Sequence, residues 1–238
     1  MLVAIVAGLV GLSAPPVWAT EVTVQNDSAA DGSQTTVCTC FIPGDEVASW
    51  LTSPCDGDIV AVQVLWRSQF GGASTIQETA IRIYDAGSFP TPGAVLTNQG
   101  VVPAVIQAPL LADSLSVNEY RHLDQAMTTP LSVPVANGQA VAVSLEIFNQ
   151  SSGNAFAPSA VYDLDGCQPS LNGVLTTPPG TWANACALGV TGDWVIRAVV
   201  DCGPPTVPTV SEWGVLAAVL LVLIAGTLAL GHPRRARA

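Results

Sequence analysis

Two short acidic turns hold the residue types with the most chemistry to offer. Asp163-Leu164-Asp165-Gly166 and Asp56-Gly57-Asp58 each place two carboxylates on a turn, one residue apart. Carboxylates beside free backbone carbonyls are the donors a hard cation takes, so Asp163 and Asp165 are the candidate ligands of a structural calcium ion. Neither turn has the twelve-residue EF-hand spacing, and Asp-Gly pairs also close turns without an ion. A cation there would stiffen a loop rather than react.

The six cysteines are Cys38, Cys40, Cys55, Cys167, Cys186 and Cys202. An even set in a chain bounded by export signals, described below, reads as a disulfide framework. The alternative, a zinc site, is poorly served: Cys38-Thr39-Cys40 is not a CxxC, no second pair exists, and no histidine lies near. Cys167 and Cys186 flank one loop-rich segment and form the first expected pairing. The other four are expected to tie the N-terminal region (Cys38, Cys40, Cys55) to the final strand at Cys202.

Catalytic groups are scarce. His122 is the only histidine between residues 20 and 203, so a Ser-His-Asp arrangement would have to use it. It sits in Asn118-Glu119-Tyr120-Arg121-His122, a strand-like stretch that faces solvent as readily as a substrate. Paired carboxylates could run glycoside hydrolysis, but 18 acidic residues single out no pair. No catalytic residue is assigned. Among the tryptophans, Trp66 and Trp194 lie in strand patterns and read as core. Trp182 follows Pro178-Pro179-Gly180 in an expected loop and is the candidate ring for stacking on a sugar.

The charge balance narrows the partners. The chain has 7 basic residues, all arginine, against 18 acidic ones. Residues 20–203 hold all the acids except Glu212, and only Arg67, Arg82, Arg121 and Arg197 among the bases. A nucleic-acid partner is excluded for want of a basic footprint. Anionic lipid is disfavoured on the same ground, whereas solubility outside a cell is favoured.

These residues must be positioned by β-structure. Ile59–Trp66 is rich in β-branched residues. Ala80–Tyr84 alternates, with Ile81 and Ile83 on one face and Arg82 and Tyr84 on the other. Val141, Val143, Leu145 and Ile147 form a period-2 apolar face after the Asn137-Gly138 turn. Trp194, Ile196, Ala198 and Val200 form another, opposed by Arg197 and Asp201. Weaker strands are expected at Glu21–Val24, Leu115–Leu123, Leu131–Val135, Ala160–Leu164 and Gly173–Thr176. Short strands broken by Gly, Pro, Asn and Asp predict a sandwich. With 18 Pro and 21 Gly, long helices are not expected before the tail. Val47–Leu51 is read as at most one helical turn, and no internal repeat is present.

The two ends carry targeting patterns. Met1–Leu12 is apolar, and Val17-Trp18-Ala19 meets the small-residue rule for signal-peptide cleavage after Ala19, although no Lys or Arg precedes the apolar stretch. At the other end Val215–Leu230 is uncharged. With Trp213, Gly214 and Gly231 it reaches the roughly 17–25 residues that a bilayer core requires. Trp213 suits one interface, and Arg234, Arg235 and Arg237 mark the cytoplasmic side as a membrane stop. The competing reading is a buried C-terminal helix, which the missing polar face disfavours.

Between the domain and this apolar run stands Val207-Pro208-Thr209-Val210-Ser211-Glu212-Trp213-Gly214. It resembles the IPTL-CTERM sorting signal, whose core reads Ile-Pro-Thr-Leu-Ser-Glu-Trp-Gly. Val207 and Val210 depart conservatively; the other six residues match in type and spacing. The resemblance covers about Val207–Ala238. It implies a Gram-negative-type bacterium, an inner-membrane stage, and an exosortase-like enzyme that cuts near the motif and passes the protein to the cell surface or matrix. A plain, unprocessed membrane anchor is the alternative. Ile81-Arg82-Ile83-Tyr84-Asp85 with Pro92-Gly93-Ala94-Val95-Leu96, and Gly192–Ala198, resemble strands of jelly-roll modules in exported surface proteins. That likeness concerns architecture and not ligand.

The sequence therefore predicts an all-β, jelly-roll-like β-sandwich with an N-terminal signal peptide and a C-terminal transmembrane helix. The expected boundaries are a signal peptide at 1–19, a disulfide-bonded ectodomain at 20–203, a Pro-rich linker with the sorting motif at 204–214, a membrane helix at 215–231 and a basic cytoplasmic tail at 232–238. The expected function is that of a non-enzymatic surface or matrix protein. The alternatives are a carbohydrate-binding or adhesive module and, third, a secreted hydrolase. No cofactor is expected beyond the structural calcium.

Overall fold

Strict alternation of apolar side chains builds two antiparallel sheets that share one core. The computed structural model describes residues 20–30, 34–70, 75–112, 117–203 and 220–221. One sheet has six strands in the order Val105–Gln107, Ala80–Asp85, Ala140–Glu146, Glu46–Thr52, Asn172–Thr176 and Thr181–Asn184. The other has five. Glu21–Val24 and Gly57–Val64 flank Ile196–Asp201, and both Asn118–Tyr120 and Val133–Val135 pair with Gly57–Val64. A small sheet of Thr35–Val37, Ser159–Asp163 and Trp66–Arg67 closes one side.

The expected faces point inward. Leu145 lies opposite Val47 and Ile81, and Val143 opposite Ile83. These residues meet Ile59, Val62, Val64, Ile196, Ala198 and Val200 of the facing sheet in one buried cluster. Each such side chain stabilises the fold by about 1.5–3 kcal/mol relative to exposure. A one-residue slip would turn the whole set outward, so burial fixes the register. Trp66 and Trp194 are fully buried, as their strand patterns predicted. The chain is thus an all-β sandwich, and its main unit ends at Gly203.

Three expectations are corrected. Val47–Leu51 is not a helical turn: Glu46–Thr52 is a strand near the middle of the six-stranded sheet. Its residues are buried on both faces, which erases the alternation that identifies a half-exposed strand. Trp182 is not in a loop but in the edge strand Thr181–Asn184. Asp163 ends the strand Ser159–Asp163, in keeping with the strand expected at Ala160–Leu164, so it lies buried before the turn and not on it.

Gly57 shows how closely the strands approach. A Cβ there would sit 2.1 Å from the Asp201 carbonyl oxygen, so strand packing requires glycine at the start of Gly57–Val64, which takes in Gly57 and Asp58 of the expected Asp56-Gly57-Asp58 turn. The signal peptide, sorting motif, membrane segment and basic tail expected at 1–19 and 204–238 lie outside the described residues, apart from the helical Leu220 and Leu221. Among the described residues no helix is long and apolar enough to cross a membrane.

Candidate functional site

In each acidic stretch one carboxylate, Asp163 or Asp56, accepts backbone N–H groups. Asp163 is fully buried. Its Oδ2 accepts the Ser28 backbone N–H at 2.8 Å and the Ser28 hydroxyl at 3.3 Å, and its Oδ1 accepts the Asp193 N–H at 2.8 Å. Burial holds its carboxyl above the usual aspartate range, with Asp165 adding to the rise. Asp193, equally buried, accepts the Gln168 N–H at 2.7 Å and the Asn172 side-chain amide at 2.5 Å. Asp56 Oδ1 accepts the Asn137 N–H at 2.9 Å, fixing the turn that crosses between the sheets. These carboxylates organise chain crossings. Among the described residues no group of three or more His, Cys, Asp or Glu is placed to hold a metal ion.

The aromatic candidate has more structure around it than its sequence suggested. Trp182 is half-buried on the outward face of the six-stranded sheet, edge-on to Trp50 with ring centroids 6.2 Å apart. Trp50 in turn meets Phe89 at 5.0 Å, and its indole N–H donates to the Ala86 carbonyl at 2.8 Å. The floor beneath is made of the small residues Ala48 and Ala142, both fully buried. Gly173 completes it, because a Cβ there would lie 2.5 Å from Trp50 Cζ3. Small residues on three adjacent strands leave room for the Trp50 ring among them.

Beside this aromatic group sits a polar cluster that the sequence reading missed. Register places Glu46 opposite Glu146 and Arg82 opposite Ser144, all outward. Glu46 is buried and accepts hydrogen bonds from the Ser144 hydroxyl and, at 3.0 Å, from the Tyr84 hydroxyl. Arg82 approaches Glu46 at 3.6 Å and pairs directly with Glu146. Desolvation pushes the Glu46 carboxyl up, against the pull of its hydrogen bonds and of Arg82. The same burial, reinforced by the charge of Glu46, raises Tyr84 well above an ordinary phenol. The signal for Arg82 and Tyr84 was present in their alternation with Ile81 and Ile83. Glu46 stands one residue before Val47–Leu51, whose burial on both faces hides that the two belong to one strand.

His122 lines an open groove of about 230 Å³ with Tyr120, Arg121, Leu110 and Met127. Among the described residues no serine or cysteine lines that groove. The three disulfides are Cys38–Cys40, Cys55–Cys202 and Cys167–Cys186. The last is the expected first pairing, and Cys55–Cys202 ties the N-terminal half to the final strand. Cys38 and Cys40 pair with each other rather than reaching Cys202. The sequence separations are 147 for Cys55–Cys202, 19 for Cys167–Cys186 and 2 for Cys38–Cys40. By chain entropy they correspond to about 5, about 3 and about 1 kcal/mol of constraint on the unfolded state. The motif Val207–Gly214 and Arg234, Arg235 and Arg237 lie outside the described residues. The chain matches no protein-family model, no curated protein and no solved structure.

Proposed function

We propose that this chain is an exported, non-enzymatic β-sandwich delivered to the cell surface or extracellular matrix by a C-terminal sorting signal. The observation that carries the reading is the order of features after the last strand. The Cys55–Cys202 disulfide closes the sandwich. The Pro-rich sequence Gly203-Pro204-Pro205-Thr206 follows. Then come Val207–Gly214, an uncharged apolar run and three arginines. That order suits a domain presented outside the inner membrane to an exosortase-like enzyme. Carboxylates committed to backbone N–H groups support a structural role for the acids. We read the sandwich as jelly-roll-like, a form supported by two sheets that share one core and by chain crossings between them.

Mass spectrometry of the mature protein recovered from cells tests this. Delivery by sorting predicts a new C-terminus within or near Val207–Gly214. A mature chain that retains Arg234, Arg235 and Arg237 would overturn it in favour of a plain anchor.

One observation favours a second reading. A half-buried Trp182 beside Trp50, Phe89 and Tyr84 is the kind of aromatic edge on which a sugar stacks. A glycan or envelope polysaccharide would then be the partner. Glycan-array binding that disappears in Trp182→Ala would establish it; equal binding by both proteins would remove it.

A further inference from the structure

We propose that the Cys38–Cys40 disulfide is a thiol–disulfide exchange site for a peptide or protein cysteine that carries an apolar side chain beside it. This goes beyond the sorting reading and does not depend on it.

Three observations carry the proposal. First, the fold grips this disulfide least. By linkage, a disulfide that adds little to folding gains little protection from folding. A separation of 2 residues gives the smallest such coupling of the three. Second, Cys40 is exposed, and both cysteines line an open cavity of about 230 Å³ whose other walls include Phe41, Val174, Leu188 and Val190. An incoming thiolate therefore has a route to Cys40 Sγ and an apolar recess beside it. Third, the flanks are held without the disulfide. The Cys38 N–H donates to the Ala160 carbonyl at 3.1 Å. The Phe41 N–H donates to the Ser151 hydroxyl at 3.2 Å, and the Phe41 carbonyl accepts the Ser151 and Ser152 N–H groups at 3.0 and 2.9 Å. Opening the disulfide leaves both thiols in place to close again.

The step balances without an outside oxidant. The partner's thiolate attacks Cys40 Sγ and forms a mixed disulfide as the Cys38–Cys40 bond breaks. Cys38 Sγ leaves as a thiolate and takes a proton from water. Attack of the Cys38 thiolate on the mixed disulfide reverses the step and releases the partner thiol.

The test uses the oxidised full-length chain and two neutral peptides, N-acetyl-Leu-Cys-amide and N-acetyl-Gly-Cys-amide. Remaining thiols are quenched by alkylation and mapped by mass spectrometry. The expected result is an adduct on Cys40 and alkylation of Cys38, at least roughly tenfold ahead of the other four cysteines. The leucine peptide reacts faster than the glycine peptide. Leu188→Asn, a change at an exposed residue, narrows that preference. First reaction at Cys55, Cys167, Cys186 or Cys202, an adduct on Cys38, no preference between the peptides, or no reaction would each overturn the proposal.

Discussion

At the outward face of the five-stranded sheet a buried aspartate meets an arginine directly; on the six-stranded sheet a buried glutamate meets two hydroxyls and an arginine already paired with a second glutamate. Arg197, Gln63 and Glu119 form one outward row across three strands of the five-stranded sheet. Arg197 engages Asp27 through two nitrogens at 2.9 and 2.5 Å, and it also donates to the Ala29 carbonyl. Arg121 grips Glu21 at 2.8 Å twice and Glu119 at 2.6 Å. Across the sandwich, buried Glu46 relies mainly on two hydroxyls, with Arg82 at 3.6 Å. The difference teaches how burial is tolerated. Exposed Glu21 is held below its ordinary range by Arg121, and exposed Glu119 by Gln63 and then Arg121, whereas at buried Glu46 desolvation outweighs both its hydroxyl donors and Arg82.

The sharpest way to break this comparison is to remove the partner from the buried pair. The Asp27 side chain is fully buried, and that of Arg197 is 11% exposed. Asp27→Ala strands a guanidinium in a site where, among the described residues, it keeps its hydrogen bond to the Ala29 carbonyl and loses both bonds to the carboxylate. The expected loss is about 3–5 kcal/mol, read from the denaturant midpoint. A loss below about 1 kcal/mol would mean that the buried pair behaves like a surface one.

The six-stranded face is better attacked through its packing. Gly173→Ala puts a methyl group 2.5 Å from Trp50 Cζ3 and 2.9 Å from Cη2. Trp50 must tilt away from Ala48 and loosen its contacts with Phe89 and Trp182. The expected cost is about 1–3 kcal/mol, accompanied by a changed near-ultraviolet circular dichroism signal. An unchanged signal with unchanged stability would show that the ring does not rest on this strand.

Both sheets were legible from alternation wherever one face was buried and the other open. Val141–Ile147 and Trp194–Val200 revealed their inward sets because Arg197 or polar neighbours marked the other side. Alternation gives no signal at Glu46–Thr52 because Ala48 and Trp50 are covered as fully as Val47 and Leu51. No residue pattern announces a second covering layer. The site was less legible still. Trp182 stands out in the sequence as a loop ring, yet it lies half-buried on an edge strand beside Trp50, some 130 positions earlier in sequence, and only strand order brings the two rings together. Asp163 has a turn signature in sequence, yet its donors come from Ser28 and Asp193. Carboxylate roles depend on which distant N–H groups arrive.

Glu46→Gln tests the protonation side of the comparison. A carboxyl raised above its ordinary 4.5 in the folded state binds its proton more tightly there than in the unfolded chain. Its contribution to stability is therefore greatest below that value and falls as pH rises toward the raised one. Glutamine does not titrate, so the variant should gain on the parent as pH rises through this window. The charged and titratable groups facing it are Arg82, Glu146 and Tyr84. Melting temperatures of both proteins across the window supply the measurement. A gap that widens against the variant as pH rises would show that Arg82 outweighs burial.

The smallest expected effect comes from Arg121→Ala. Arg121 makes more charged contacts than Arg197, so counting bonds would rank it first. Its side chain is 41% exposed, however, and those of Glu21 and Glu119 are 43% and 34% exposed. Water already solvates all three groups, and salt screens them over about 8 Å at physiological ionic strength. The expected cost is about 0–1 kcal/mol. The hydrogen bonds from Arg121 hold Glu21 below its ordinary value; those from Gln63 first, and then Arg121, do the same for Glu119. The contribution is thus present above the ordinary glutamate value and lost as pH falls through the depressed ones. Added salt at neutral pH should erase the difference between Arg121→Ala and the parent while leaving most of the Asp27→Ala loss intact. Equal salt sensitivity in the two variants would mean that burial does not separate these arginines.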